Sequence, residues 1–443
     1  MRQFVDYHGW YDKSKIVLKE VLSSQLLACM NPTAGSFTIT PRMQRHFCTF
    51  AVQMPDADIV RSIYGAVVEG HMANFDPEVS ILAPKLVDAT VELHRQVATT
   101  FLPSATKFQY LWNLRELSNV TMGLCRMVRE YYTDPLKVVR LWVHEVERTV
   151  LDRLLPGDVP AFNKMRVTAT KKYFEDQDPE AVEARPLLYT SFLTRGPDDS
   201  PVYTGVDTYE KLRGALDERL AEYNEGNPVM NLVLFQQAMD HVTRIARIID
   251  LPAGNAMLVG VGGSGKQSLA KLASFICGYE VFMIQITGSY GLADLKENLL
   301  SLYTKAGVKG VPVSFIMTDT QIIDERFLVY INDLLSSGYI PDLFAPEDKE
   351  AMANAVRNEV KQAGIVDSAE NCFSFFIQKV RKYLHVVLCF SPVGDKFRVR
   401  ARQFPALINN TVFDYFLPWP QGAPRPCGAP GSRAARPGCR APR

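Results

Sequence analysis

No apolar run in this chain approaches the roughly 18–20 residues that a helix needs to cross a bilayer. Charge of either sign is also not in excess. Lysine and arginine number 49 against 48 aspartate and glutamate, for a net charge of +1, so there is no field suited to nucleic acid. Eight cysteines contain no C-x-x-C pair, and the seven histidines show no metal-ligand spacing. Cys29, Cys48, Cys125, Cys277, Cys372 and Cys389 are scattered through apolar segments and read as reduced thiols of a cytosolic compartment. Met1 is followed by Arg2-Gln3-Phe4-Val5-Asp6-Tyr7, which is no signal-peptide core. These absences argue against membrane-spanning, disulfide-framed secreted, metal-centred and nucleic-acid-binding classes. At 443 residues there is chain enough for two or three domains, each with its own core.

The most informative stretch that is present is Gly260-Val261-Gly262-Gly263-Ser264-Gly265-Lys266, the G-x-x-x-x-G-K spacing of a phosphate-binding loop. Glycines let successive backbone N–H groups turn inward around a phosphate, and the following helix presents its positive end to the same anion. Lys266 would reach the β- and γ-phosphates as a mobile charge. Ala256-Met257-Leu258-Val259 reads as a buried strand before the loop, and Ser268 to Ala273 as a helix after it. The alternative is a structural glycine turn. Where the motif has Ser or Thr to hold Mg²⁺, this chain has Gln267. Ser268 comes one residue late, about 100° round the helix. The Gln267 amide oxygen is a weaker substitute, and binding tolerates the change better than hydrolysis does.

A loop of this kind predicts an apolar strand ending in an Asp of the Mg²⁺ shell, and Val313-Ser314-Phe315-Ile316-Met317-Thr318-Asp319 fits. The next residue is Thr320, a poor general base where active ATPases carry Glu. Asp324 and Glu325 lie about a helical turn further on and read as solvated. A third strand, Leu384 to Phe390, ends in Ser391-Pro392. In P-loop folds with an extra central strand, Ser391 would sense the γ-phosphate; otherwise it closes a strand-end turn. Arg398, Arg400 and Arg402 follow at spacing two. Either one of them is an arginine finger for a neighbouring module, or they form one solvated face.

The strings MLVGVGGSGKQSLAKLASFICGYE, TDTQIIDERFLVYINDLLSSGYIPDLF, HVVLCFSPVGDKFRVRARQFPALINNT and FDYFLPWP resemble the fourth AAA+ module of an axonemal dynein heavy chain. The beginning, MRQFVDYHGWYDKSK through MNPTAGSFTITPRMQRHF, resembles the C-terminal half of the third module's large domain. The resemblance runs to about residue 420 and implies an α/β P-loop AAA+ large domain preceded by a helical lid domain. It also implies ATP or ADP with Mg²⁺, and contacts with other heavy-chain modules and dynein subunits. A microtubule would be met only through a stalk absent from this sequence, and the setting would be the cytoplasm, the cytoskeleton and the ciliary axoneme. Gln267 and Thr320 are typical of that fourth module, so weak or no hydrolysis is expected.

Five parts follow. Residues 1–54 carry an expected strand, Leu26 to Met30, closed by Asn31 as a polar sensor or a plain Asn-Pro turn, with Arg42 and Arg45 as finger candidates. Residues 55–185 read as a helical lid. Leu86, Ala89, Leu93 and Val97 form one stripe, and Leu111, Leu114, Leu117, Leu124 and Val128 a second. Residues 186–230 are turn-rich and read as a connector. Residues 231–420 form the α/β domain, opened by a helix with Phe235, Val242, Ile245 and Ile249 on one face. The tail, 421–443, has five Arg, five Pro, four Gly and no acid, and cannot bury a core. It is a read-through end or a basic arm. The chain is therefore expected to be a nucleotide-binding ring segment of a ciliary motor. The alternative is a truncated non-motor chain that acts as a nucleotide-binding or subunit-interaction fragment.

Overall fold

The computed structural model describes residues 2–30 and 40–417; Asn31 and the tail from 421 to 443 lie outside the described residues. Two compact units are present, Met1–Asp56 and Ala57–Arg443.

The first unit is small. A short helix, Arg2–Tyr7, precedes an antiparallel pair in which Gly9–Tyr11 lies against Leu18–Glu20. The strand expected over Leu26 to Met30 does not form, and Leu27 is 94% exposed. An apolar run becomes a strand only where a neighbour takes its backbone hydrogen bonds, and none of the described residues pairs with it. Arg42 is exposed on the single turn Pro41–Gln44. Arg45 lies 3.5 Å from Asp6.

The second unit opens with helices α1 (Ala57–Met72), α2 (Leu82–Thr100), α3 (Leu114–Leu124), α4 (Pro135–Thr149) and α5 (Val159–Tyr173). Leu86, Ala89, Leu93 and Val97 form the buried stripe of α2. Helix α3 is shorter than its apolar stripe suggests, because Asn113 caps it. Its side chain accepts the Arg115 N–H at 2.8 Å while Glu116 reaches back to the Asn113 N–H at 2.7 Å. Leu111 thus falls before the helix, and Val128 lies beyond its C-cap Cys125. Trp142 is fully buried at the centre of this layer, and its indole N–H donates to Thr90 at 2.8 Å.

Residues 186–230, expected as a turn-rich connector, carry regular secondary structure. An antiparallel hairpin, β1 (Leu188–Arg195) with β2 (Pro201–Val206), is followed by the 18-residue helix α6 (Tyr209–Gly226). The Gly196–Asp199 turn signal closes the hairpin, and Asn227-Pro228 ends α6. The hairpin is a seam. Tyr189 and Tyr203 enter the helical core, while Leu188, Phe192 and Val206 enter the next one. That division follows from side chains alternating across a strand.

Helix α7 (Gln236–Asp250) then buries Val242, Ile245 and Ile249 and leads into the sheet. The sheet has five parallel strands: β3 (Ala256–Gly260), β4 (Glu280–Met283), β5 (Val313–Thr318), β6 (Leu384–Phe390) and β7 (Val412–Phe416). Their spatial order is β4-β5-β6-β3-β7, so β6 is inserted between β3 and β5. The connecting helices are α8 (Lys266–Ile276), α9 (Leu292–Tyr303), α10 (Arg326–Ser337), α11 (Pro346–Gln362), α12 (Ala369–Tyr383) and α13 (Lys396–Gln403). Every residue of β3, β5 and β6 is buried, as a parallel sheet covered on both faces requires. Met257, Val259, Phe315, Met317, Val386 and Leu388 point into one core, and Ala256, Leu258, Ile316 and Val387 into the other. The expected α/β class with a preceding helical domain is what this unit shows.

Candidate functional site

The strand register brings three chain segments together. Val259 of β3 pairs with Phe390 of β6, and Cys389 of β6 with Thr318 of β5. The glycine run, Ser391 and Asp319 therefore all emerge at the carboxyl ends of adjacent parallel strands, the edge where ligands of open α/β sheets sit.

Backbone conformation explains the glycines. Gly263 and Gly265 have φ of 77° and 84°, the left-handed region that favours glycine. A Cβ at Gly262 or Gly263 would meet nothing within 4 Å, so these two residues edge an open cradle. Gly260 is a glycine for another reason. A Cβ there would lie 2.6 Å from the Phe416 Cβ and 3.1 Å from the Ser264 hydroxyl. Gly265 stands at the N-cap of α8 with no side chain capping the helix, so its first N–H groups face the loop. Val261 and Gln267 are exposed, Ser264 is buried, and Ser268 is half-buried one residue further on.

Lys266 folds back over the loop. Its ammonium donates to the carbonyls of Gly260 at 2.6 Å and Val261 at 2.8 Å, and to the Ser264 hydroxyl at 3.2 Å. Burial lowers its pKa, with Cys389 and Asp319 acting in the opposite sense. Open cradle, uncapped helix end and a desolvated ammonium fit a phosphate group.

Asp319 begins a single 3₁₀ turn after β5, and its Oδ2 accepts the Ser391 N–H at 3.2 Å. Its other oxygen accepts no hydrogen bond from the described residues and is available to a cation's water shell. The turn is stapled by Gln321, whose side chain accepts the Thr318 N–H and donates to the Ile284 carbonyl, at 2.8 and 2.7 Å. Thr320 is exposed, 2.9 Å from the Thr318 hydroxyl; neither group is a base near neutral pH. The Ser391 hydroxyl accepts the Val393 N–H at 3.4 Å. The turn-closing role and the sensing role both remain compatible with that position.

The arginines do not share one face. They lie on α13, where two residues mean a rotation of about 200°. Arg400 is consequently turned inward, 7% exposed, and its guanidinium donates to Glu325 at 2.7 and 3.1 Å. Arg398 is half-exposed and pairs with Asp395 at the start of the helix, and Arg402 is exposed. Glu325 thus has a partner and is not merely solvated. Asp324 pairs with Arg326. Of the three candidates, Arg398 and Arg402 are presented to the outside.

Several residues behind the loop had no local signature in the sequence. Burial pushes the Cys389 thiol up to about 12, so it walls the site as a neutral group. Phe416, which fixes Gly260, stacks on His241 with ring centroids 3.8 Å apart and planes within 5°. His241 donates through Nδ1 to Asp414 at 2.7 Å, and Arg244 donates to the other carboxylate oxygen at 3.1 Å. Burial would raise the Asp414 pKa, but His241 and Arg244 override it and hold the group at about 2. The i,i+3 pair His241 and Arg244 on α7 was the one available hint.

Three segments of the chain match family descriptions. Residues 230–428 match a "P-loop containing dynein motor region D4", residues 86–184 an "AAA+ lid domain", and residues 1–55 a "P-loop containing dynein motor region". The chain is 65% identical over 424 residues to "Dynein beta chain, flagellar outer arm" of Chlamydomonas reinhardtii. It is 50% identical over 426 residues to "Dynein beta chain, ciliary" of Tripneustes gratilla, and 47% identical over 427 residues to "Dynein axonemal heavy chain 9" of Homo sapiens. These alignments cover 95–96% of this chain and 9–10% of the relatives, so the chain spans about a tenth of their length.

Proposed function

The chain belongs to the axonemal dynein heavy chains, of whose motor region it forms a part, and on that premise we propose that its phosphate loop holds ATP or ADP with Mg²⁺ and hydrolyses it weakly or not at all. Gly260 to Gly265 and the start of α8 would cradle the phosphates, Lys266 would exchange its loop carbonyls for phosphate oxygens, and Asp319 would hold the water shell of the cation. The bound cation supplies charge neutralisation; the chain supplies shape and the ammonium. The observation that carries the reading is the convergence of Lys266, Asp319 and Ser391 at adjacent strand ends.

Weak turnover is supported by Thr320, which follows Asp319 with no ionisable side chain of its own. Glu325 does not replace a base, because Arg400 holds it in an ion pair. Partners, in this reading, are neighbouring modules of the heavy chain and other dynein subunits. Arg398 and Arg402, presented outward, would serve a neighbouring module's nucleotide. A fluorescent-nucleotide titration with magnesium of wild type against Lys266→Ala tests the pocket: the magnesium-dependent binding of wild type is lost in the variant. Equal titration of the two would contradict the assignment.

A further inference from the structure

At the opposite edge of the sheet, where the parallel strands begin, a cleft of about 380 Å³ opens between α3 and the α/β domain. That volume lies in the range of small-molecule sites. Arg115 and Asn119 enter it from α3, Arg381 from the end of α12, Arg153 from below, and Asn255 and Asn410 from the turns that precede β3 and β7. None of the residues lining it is acidic.

The walls are held in place. Asn255 accepts the Val386 N–H at 2.8 Å and donates to the Ala253 carbonyl at 3.1 Å. Asn410 donates to the Leu335 carbonyl at 2.8 Å, covering one of the exposed carbonyls at the end of α10. Gly338, with φ of 74°, lets Arg381 lie across it, since a Cβ there would meet the Arg381 Cγ at 2.6 Å. Arg153 is 6% exposed. One of its terminal nitrogens donates to Glu116 and the Leu111 carbonyl, at 2.8 and 2.7 Å, while its buried Nε has no partner. Glu116 offsets the charge of Arg153, which leaves Arg115 and Arg381 as two exposed guanidinium groups facing one cleft.

We propose that this cleft is a second anion site, distinct from the phosphate loop, that takes a compact ligand carrying two or more phosphate groups. Planar guanidinium groups match phosphate oxygens in pairs. Inorganic pyrophosphate and the polyphosphate of a nucleotide share this chemistry. The site depends on the docking of α3 against the α/β domain, so its occupancy would strengthen that contact.

Isothermal titration of the full chain carrying Lys266→Ala, first with magnesium-free pyrophosphate and then with ATP, tests the proposal. One site should survive the loss of Lys266. Adding Arg115→Gln with Arg381→Gln, both on exposed side chains, should weaken it about tenfold or more with unchanged far-ultraviolet circular dichroism. Tighter binding of ATP than of pyrophosphate would assign a nucleotide, and equal binding a free phosphate anion; both support the site. Absence of pyrophosphate binding in Lys266→Ala, or an unchanged affinity in the triple variant, would overturn it. So would saturation by a glutamate-rich peptide with no response to either phosphate ligand. Survival of two sites in Lys266→Ala would instead refute the phosphate-loop assignment alone.

Discussion

The Ser391 N–H donates to Asp319 Oδ2 at 3.2 Å, tying the ends of two neighbouring strands, and the other carboxylate oxygen takes no hydrogen bond from the described residues; on the proposed reading it faces the cation's water shell. Magnesium should therefore tighten ATP binding to the wild-type chain. Asp319→Asn, which keeps the shape and loses the charge, should bind ATP about equally with and without magnesium. Paired titrations check this, and a variant still tightened by magnesium would remove Asp319 from the cation shell.

Arg400 and its neighbours on α13 separate by burial. Arg400→Ala removes an ion pair and a buried stem and should cost about 1–2 kcal/mol. Arg398→Ala and Arg402→Ala should stay within about 0.5 kcal/mol of wild type, since both are more exposed. All three should leave the nucleotide affinity of this chain nearly unchanged. Urea midpoints and the fluorescent titration report the two quantities. A loss of affinity in Arg402→Ala comparable to that in Lys266→Ala would place Arg402 at the local phosphate.

The helical layer and the α/β domain meet across buried charge. Glu145, fully buried, takes two hydrogen bonds from Arg247 and one from the Tyr203 hydroxyl at 2.8 Å. Glu145→Ala leaves a buried guanidinium unpaired and should cost about 3–5 kcal/mol. The double variant Glu145→Leu with Arg247→Met should recover much of that loss. If Glu145→Ala unfolds at the same urea concentration as wild type, the pair is not the buried contact described.

Acid should weaken the fold through Asp414. Its folded pKa of about 2 lies below the value of about 3.9 for an unfolded aspartate. The stabilisation is therefore complete above about pH 4 and is lost as the pH falls toward 2. Burial acts on Asp152, close by, in the opposite sense and raises its pKa, so the test is comparative. Asp414→Asn should show a smaller fall in urea midpoint between pH 5 and pH 3 than wild type does. Parallel curves would contradict the assignment.

What could be read from sequence was local. Four apolar residues, a glycine run and a lysine within eleven positions located β3, the loop and α8, and an apolar run ending in Asp319 located β5. The inserted strand β6 was legible from its apolar run and its closing Ser391. The hairpin β1–β2 was not, because its turn residues, taken alone, look like those of a loop. Of the two readings open for the arginines of α13, the single solvated face fails because spacing two means one side of a strand but opposite sides of a helix. Glu145 and Arg247 lie 102 positions apart, and His241 and Asp414 173; no periodicity relates such residues. Leu26 to Met30 had the composition of a strand, but strand formation also needs a partner, which composition does not specify.

The central claim is a site that holds nucleotide without cleaving it. The most direct test incubates the full chain with a stoichiometric amount of radiolabelled ATP and magnesium, then extracts and identifies what remains bound. The account predicts uncleaved ATP in wild type, loss of the loop-held share of bound ATP in Lys266→Ala, and a measurable gain of ADP in Thr320→Glu, where a general base is supplied. Rapid, Lys266-dependent conversion of bound ATP to ADP by the unmodified chain would contradict it.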